Sequence, residues 1–332
     1  MKIFIAVPDT PRYDGFFTDR SMAALESVGT VSRNPYDRNL SLDEIVEMGA
    51  DADVLITGWA TPKIDKATVK RMPNLKIIAH SAGSVAPIVD TDVFETGVKV
   101  LSGNDVFARS VAEGCLCYTL SALRRVEHYT GVMRQGGWKE SAFQNRGLIG
   151  KKVGIVGFGA ISRYFLDLIR WFRCEVLIYS SHLSDEEAAK YGGRTASLEE
   201  IFSGCDVISI HTSMTAKTAG MINRQLLSSM KPSALLVNTA RGGVIDEPAM
   251  FEMLMEGKFY AALDVYADEP PAPDAPIRQC KNAFLMPHMG GPTIDMREVV
   301  LVELSQDFAR FQKDEPMALE ISCEAAKRMT VG

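Results

Sequence analysis

The turn Gly157-Phe158-Gly159 brings backbone atoms within reach of a ligand. Two glycines one residue apart let the chain bend sharply and approach a bound group closely. A helix that starts directly after them, at Ala160 and Ile161, presents free N–H groups and the positive end of its dipole. Both features favour an anion, and a strand–turn–helix unit of this kind holds the pyrophosphate of a dinucleotide. Ser162 stands where a third glycine or an alanine would let helix and strand pack most closely, so a slight loosening is expected. Other reactive side chains recur where apolar runs end: His211-Thr212-Ser213, Asn238-Thr239-Ala240-Arg241, Asp264 and His288.

The elements that must position these residues follow from the spacing of apolar positions. Residues 153–156 form an apolar run, Ile161, Phe165, Leu168, Ile169 and Phe172 repeat at helical spacing, and Glu175–Tyr179 is a second apolar run. Further runs at 207–210, 235–237, 261–263 and 284–286 each end in polar residues or glycine, which is where a doubly wound parallel sheet places its site. Residues 1–102 read as a smaller α/β unit, with strands at 2–7, 53–57, 75–80 and 98–101 and a capping box from Ser41 to Glu44. Two of its strand ends carry candidate substrate contacts, Gly58-Trp59 and the small-residue loop His80 to Ser84. Residues 104–135 read as one long apolar helix that packs against a second subunit, giving a homodimer. An amphipathic helix over 293–311 returns to the first unit. The expected organisation is a substrate domain of 1–102 with 291–332, and a dinucleotide domain of 103–290.

With 332 residues, 46% of them apolar, the chain can bury two cores of ordinary size. A formal charge of −6 and no Lys/Arg-rich run argue against nucleic acid. No apolar segment reaches the length that spans a bilayer, and the first residues read as a strand, so a cytoplasmic protein is expected. The six cysteines contain no CxxC and the five histidines no HxxxH or HExxH, so free thiols and no metal are expected.

In order and interval, GFGAIS, HTSMTAKTAGMI, NTARGGVID, ALDVYADEP and PHMGG resemble the D-2-hydroxyacid dehydrogenases over nearly the whole chain. The resemblance implies a flavodoxin-like substrate domain beside a Rossmann domain, and hydride transfer with Arg241, Glu269 and His288 acting together. A planar guanidinium holds a 2-keto acid's carboxylate bidentately and polarises its carbonyl, the role of Arg241. His288 gives the alkoxide its proton, and Glu269 on the other ring nitrogen fixes the tautomer and favours imidazolium. It also implies that Gly83 and Ser84 meet the substrate carboxylate, that Trp59 covers the substrate side chain, and that Asp264 binds the nicotinamide carboxamide. Thr212, Ser213, Thr218, Thr239 and Ala240 would line the cofactor, with His211 and Gly290 beside them. A related formate dehydrogenase carries Gln in place of Glu269, which argues against that activity. The alternative is a catalytically silent NAD(P)-sensing protein of the corepressor kind, and no basic or disordered extension supports it.

NAD-dependent relatives end the second strand of the unit in an acid that binds the ribose hydroxyls. Here the strand runs into Ser180-Ser181-His182 with no carboxylate. NADP is therefore favoured over NAD, although no arginine stands at that point.

Overall fold

The computed structural model describes residues 1–139 and 145–330. The chain divides into two compact units, Met1–Ser110 with Pro292–Gly332, and Val111–Gly291. The division falls inside the helix Asn104–Arg124, not ahead of it.

In the first unit, strands β1 (Lys2–Ile5), β2 (Thr30–Arg33), β3 (Val54–Thr57), β4 (Ile77–His80) and β5 (Lys99–Ser102) form a parallel sheet of order β2-β1-β3-β4-β5. Side chains alternate across it as a period of two requires: Ile3, Ile5, Val54, Ile56 and Ile77 enter one core, Phe4, Leu55, Ile78 and Val100 the other. The capping box is present, with Ser41 Oγ accepting from the Glu44 N–H and the Glu44 carboxylate from the Ser41 N–H. The order reverses between β1 and β3, so the crevice of this sheet opens at the loops that follow them.

In the second unit, β6 (Lys152–Val156), β7 (Glu175–Tyr179), β8 (Gly193–Thr195), β9 (Val207–Ile210), β10 (Leu235–Asn238), β11 (Tyr260–Leu263) and β12 (Ala283–Leu285) form a parallel sheet of order β12-β11-β10-β9-β6-β7-β8. Val153, Ile155, Ile178, Val207 and Val237 face one layer of helices, and Val156, Leu177, Ile208, Leu236 and Leu263 the other. Here the reversal lies between β6 and β9. Both sheets are wholly parallel, the doubly wound α/β class that the sequence indicated.

Residues 104–135 are not one helix. Asn104–Arg124 ends where Arg125 takes the left-handed conformation at φ 54, and a separate helix, Val126–Arg134, follows. The second helix buries none of its residues in this chain, and Val126 and Met133, seven residues apart on one face, are exposed. The last long helix begins at Arg297, after a turn, and runs to Phe311. Cys115 is buried and Cys117 exposed, as neighbours two apart on a helix must be, and all six cysteines are free. Among the described residues no helix is long and apolar enough to cross a membrane, and no three metal-ligating side chains converge.

Candidate active site

The glycine turn sits at the reversal of the second sheet. Gly157 has φ 98, and a Cβ there would lie 2.7 Å from the Thr212 nitrogen and 2.8 Å from the His211 carbonyl carbon. Only glycine lets the turns after β6 and β9 approach so closely. The Gly157 N–H donates to the Tyr179 carbonyl at 2.8 Å, tying the turn to the end of β7. The helix Ala160–Ile169 starts at once, with Gly159 as its N-cap. Ser162 is fully buried, and its hydroxyl accepts from the Gly159 N–H at 2.8 Å and donates to the Gly159 carbonyl at 2.9 Å. Instead of loosening the packing, this side chain caps the helix from within. The first helical residues, Ala160 and Ile161, keep N–H groups that a helix cannot satisfy internally. A turn that admits only glycine at position 157, followed by N–H groups without helical partners, fits a pyrophosphate.

The β9 loop is self-contained. Thr218 Oγ1 donates to the Ser213 carbonyl at 2.6 Å and accepts from the Thr215 N–H at 2.8 Å, so its hydroxyl shapes the loop. The His211 ring turns inward, with Nε2 2.9 Å from Ser209 Oγ and its face against Phe165 at 5.4 Å. Burial pushes its pKa down to about 3, so the ring is neutral and only the backbone of His211 is available to a ligand. Ser209 also meets the buried Cys115 thiol at 3.3 Å, whose pKa burial pushes up to about 11. Thr239 and Ala240 are buried at the end of β10. Ser180 is half-buried, and Ser181 and His182 are exposed beyond β7.

Arg241 follows β10, where Asn238 folds the chain back: its Oδ1 accepts from the Ala240 N–H at 3.0 Å and its Nδ2 donates to the Arg241 carbonyl at 2.9 Å. The Arg241 guanidinium is largely desolvated, which lowers its pKa, and the nearby Glu269 carboxylate opposes that shift. One nitrogen, Nη1, donates to the Ala240 carbonyl at 2.7 Å. The turn behind it presses on the next segment, because a Cβ on Gly242 would lie 2.0 Å from the Tyr266 carbonyl carbon.

Glu269 lies in that segment. Its Oε1 accepts from the Tyr266 N–H at 3.0 Å, and its Oε2 lies 2.6 Å from His288 Nδ1. With Nδ1 donating to the carboxylate, Nε2 is the ring atom left to exchange a proton. His288 stands in the left-handed region at φ 57, uncommon for any residue except glycine. Asp264 holds it there. The Asp264 carbonyl accepts from the His288 N–H at 2.8 Å, and its carboxylate accepts from Met289 at 2.7 Å and Gly290 at 2.8 Å. The carboxylate expected to meet a carboxamide is thus engaged by the loop that carries His288. Glu247, which the sequence did not single out, is nearly buried and accepts from the Ala267 N–H at 2.8 Å. Burial, reinforced by Asp268 and Glu269, raises its pKa. Its signal was present in VIDE, an acid one residue beyond the N-cap Asp246.

In the first unit, Trp59 sits in an aromatic cluster with Tyr13 at 5.4 Å, Phe16 at 5.6 Å and Phe107 at 6.1 Å, under the Arg12 guanidinium at 5.4 Å. Trp59 follows β3, at the reversal of that sheet. The Gly83 carbonyl accepts from Ser102 Oγ at 2.5 Å, and Ser84 Oγ donates to the Thr330 carbonyl at 2.6 Å. His80, a possible substrate contact from its loop, lies in the core, 1% exposed and 3.0 Å from Thr57 Oγ1. Burial lowers its pKa to about 4. Trp138 is exposed, and the loop it opens runs into 140–144, outside the described residues.

The model of the D-isomer specific 2-hydroxyacid dehydrogenase NAD binding domain matches residues 116–290. A D-3-phosphoglycerate dehydrogenase of Methanocaldococcus jannaschii is 33% identical over 81% of this chain and 51% of its own length. The chain thus spans about half the length of that relative. A hydroxypyruvate reductase of Thermotoga maritima is 32% identical over 80% of this chain and 87% of its own. A crystallised phosphoglycerate oxidoreductase of Rhizobium etli has the same fold, with a TM-score of 0.82 and 23% identity over 97% of this chain and 99% of its own.

Proposed function

Because the chain belongs to the D-2-hydroxyacid dehydrogenase family, we propose that it interconverts a small 2-keto acid and the D-2-hydroxy acid, with Arg241, Glu269 and His288 as the reacting groups. The observation that carries this reading is the 2.6 Å contact between Glu269 and His288 Nδ1, which leaves Nε2 for the substrate. A protein that only sensed a nucleotide would have no use for that pair.

The residues divide the work by their chemistry. Ala160 and Ile161 would offer N–H groups to a pyrophosphate, and the turns at 157–159 and 211–213 would hold the rest of the dinucleotide. Bound there, the reduced nicotinamide supplies a hydride to the carbonyl carbon. Arg241 holds the substrate carboxylate and polarises the carbonyl, and its partial desolvation strengthens both interactions. As negative charge gathers on the carbonyl oxygen, His288 Nε2 gives it a proton, and Glu269 stabilises the imidazolium before transfer and orients the ring throughout. In oxidation the same nitrogen removes the proton.

Ser180, Ser181 and His182 leave the end of β7 without a carboxylate, which supports NADP over NAD. The exposed Val126 and Met133 on the helix Val126–Arg134 support a homodimer through that face. Assaying NADPH and NADH oxidation with glyoxylate, hydroxypyruvate, pyruvate and bulkier 2-keto acids tests the reading. Turnover of at least one acid, faster with NADPH, is expected, and no turnover across the panel overturns it.

A further inference from the structure

We propose that Arg163 is the cation that receives a 2′-phosphate on the cofactor's adenosine ribose. The proposal rests on reading the glycine turn as a dinucleotide site, and it supplies the charge that Ser180-Ser181-His182 lacks. In a doubly wound sheet the adenosine ribose lies at the carboxyl end of the second strand, here β7. Four contacts bring Arg163 to that neighbourhood from the helix. The Gly157 N–H is bound to the Tyr179 carbonyl, so the glycine turn and the end of β7 are adjacent. The Phe158 ring, between the two glycines, meets Tyr191 edge-on at 5.3 Å, just past the helix Asp185–Lys190 that follows β7. The Arg163 guanidinium lies over Phe158 at 5.0 Å and reaches Glu187 Oε1 at 3.4 Å. Arg163 therefore bridges the glycine turn and the first turn of the next helix, flanking the segment 180–184 that leads into it.

The strengths of these contacts suit a ligand-binding arginine. An ion pair at 3.4 Å between side chains 48% and 40% exposed contributes little and gives way readily. The cation–π contact with Phe158 keeps the guanidinium beside the glycine turn, and the long donation from Nη2 to Glu187 is the contact a phosphate would displace. A planar fork of donors matches a phosphate better than a point charge does. Asp185, the first residue of the helix after β7, is engaged elsewhere, since its Oδ1 accepts from the N–H and hydroxyl of Thr195 at 2.9 and 2.6 Å. Glu187 is then the group that competes with the phosphate for Arg163.

The test is calorimetric titration of the full-length chain with adenosine 2′,5′-bisphosphate and with 5′-AMP, for the wild type and for R163A, R163K and E187Q. R163A should raise the Kd for the bisphosphate about tenfold or more, as loss of a charge-assisted contact does, and change that for 5′-AMP less than twofold. R163K should recover part of the loss, and E187Q should tighten the bisphosphate alone. In parallel, R163A should lower kcat/KM with NADPH and spare that with NADH. Equal losses for both ligands, or no loss for either, overturn the proposal. Failure to reduce any keto acid would sink the dehydrogenase reading and leave these titrations interpretable. A wild type that prefers 5′-AMP, combined with a bisphosphate-specific loss in R163A, would remove the NADP preference and uphold the Arg163 contact.

Discussion

The His288 N–H donates to the Asp264 carbonyl at 2.8 Å, and the Asp264 carboxylate takes the next two N–H groups, so one residue 1% exposed fixes the conformation of the proton-bearing loop. An amide in its place offers one acceptor and one donor to two N–H groups. D264N is expected to lose a charge-assisted hydrogen bond of about 1.5–3 kcal/mol, lowering both Tm and kcat. G290A should act through the same contact, since its Cβ would come within 2.7 Å of Asp264 Oδ2. Thermal melts beside steady-state kinetics check this, and unchanged values in D264N would show that the carboxylate does not hold the loop.

Replacing the proton donor should be costly and replacing its partner less so. H288A is expected to lower kcat/KM roughly 10²–10⁴-fold. E269Q keeps an acceptor for Nδ1–H and removes the charge, so it should lower kcat/KM by less than H288A does, about tenfold or more, as loss of a charge-assisted hydrogen bond does. Steady-state kinetics equal to the wild type would separate Glu269 from the proton transfer.

Arg241 has a geometric role that a second cation cannot fill. R241K retains the charge and loses the planar fork, and should raise KM for the keto acid about tenfold or more while leaving the Kd for 5′-AMP unchanged. An unaltered KM would mean that the carboxylate is held elsewhere.

Two buried histidines make stability depend on pH. Burial holds His80 at about 4 and His211 at about 3, below the unfolded value of 6.5. Above pH 6.5 both states are neutral at these rings and the fold keeps its full stability. Between 6.5 and 4 the unfolded chain binds protons that the folded chain refuses, so stability falls as pH falls. The loss approaches on the order of 3 kcal/mol for His80 alone. Urea denaturation from pH 7.5 to 4.5 should show this slope, and H80Q should flatten part of it. A slope equal to that of the wild type in H80Q would show that the ring does not titrate on unfolding.

The strands legible in the sequence were those with both faces largely buried, such as Glu175–Tyr179 and Val207–Ile210, whose residues are mostly apolar. Thr30–Arg33 and Gly193–Thr195 lie at the outer edges of their sheets and are polar and short, so nothing in composition separated them from loops. The break at Arg125 was hidden because a left-handed residue there is selected by its surroundings and not by its type. Arg241, Glu269 and His288 followed from the resemblance of the motifs that carry them; Arg241 and His288 also lie just beyond apolar runs, whereas Glu269 sits in a Pro-rich loop that no apolar run marks. The inward turn of His211, the folding role of Asn238 and the clamp made by Asp264 depend on which neighbours three-dimensional packing supplies, and no spacing along the chain encodes them.

Ser162 turns a position usually left to a small, silent residue into part of the helix start. Its hydroxyl closes on both backbone groups of Gly159, so local bonds hold the helix start while the Gly157–Tyr179 bond ties the turn to the sheet. A site ordered in advance has little conformational freedom left to lose on association. The heat capacity and entropy of nucleotide binding should then reflect buried surface and released water, with no signature of a loop being organised around its ligand.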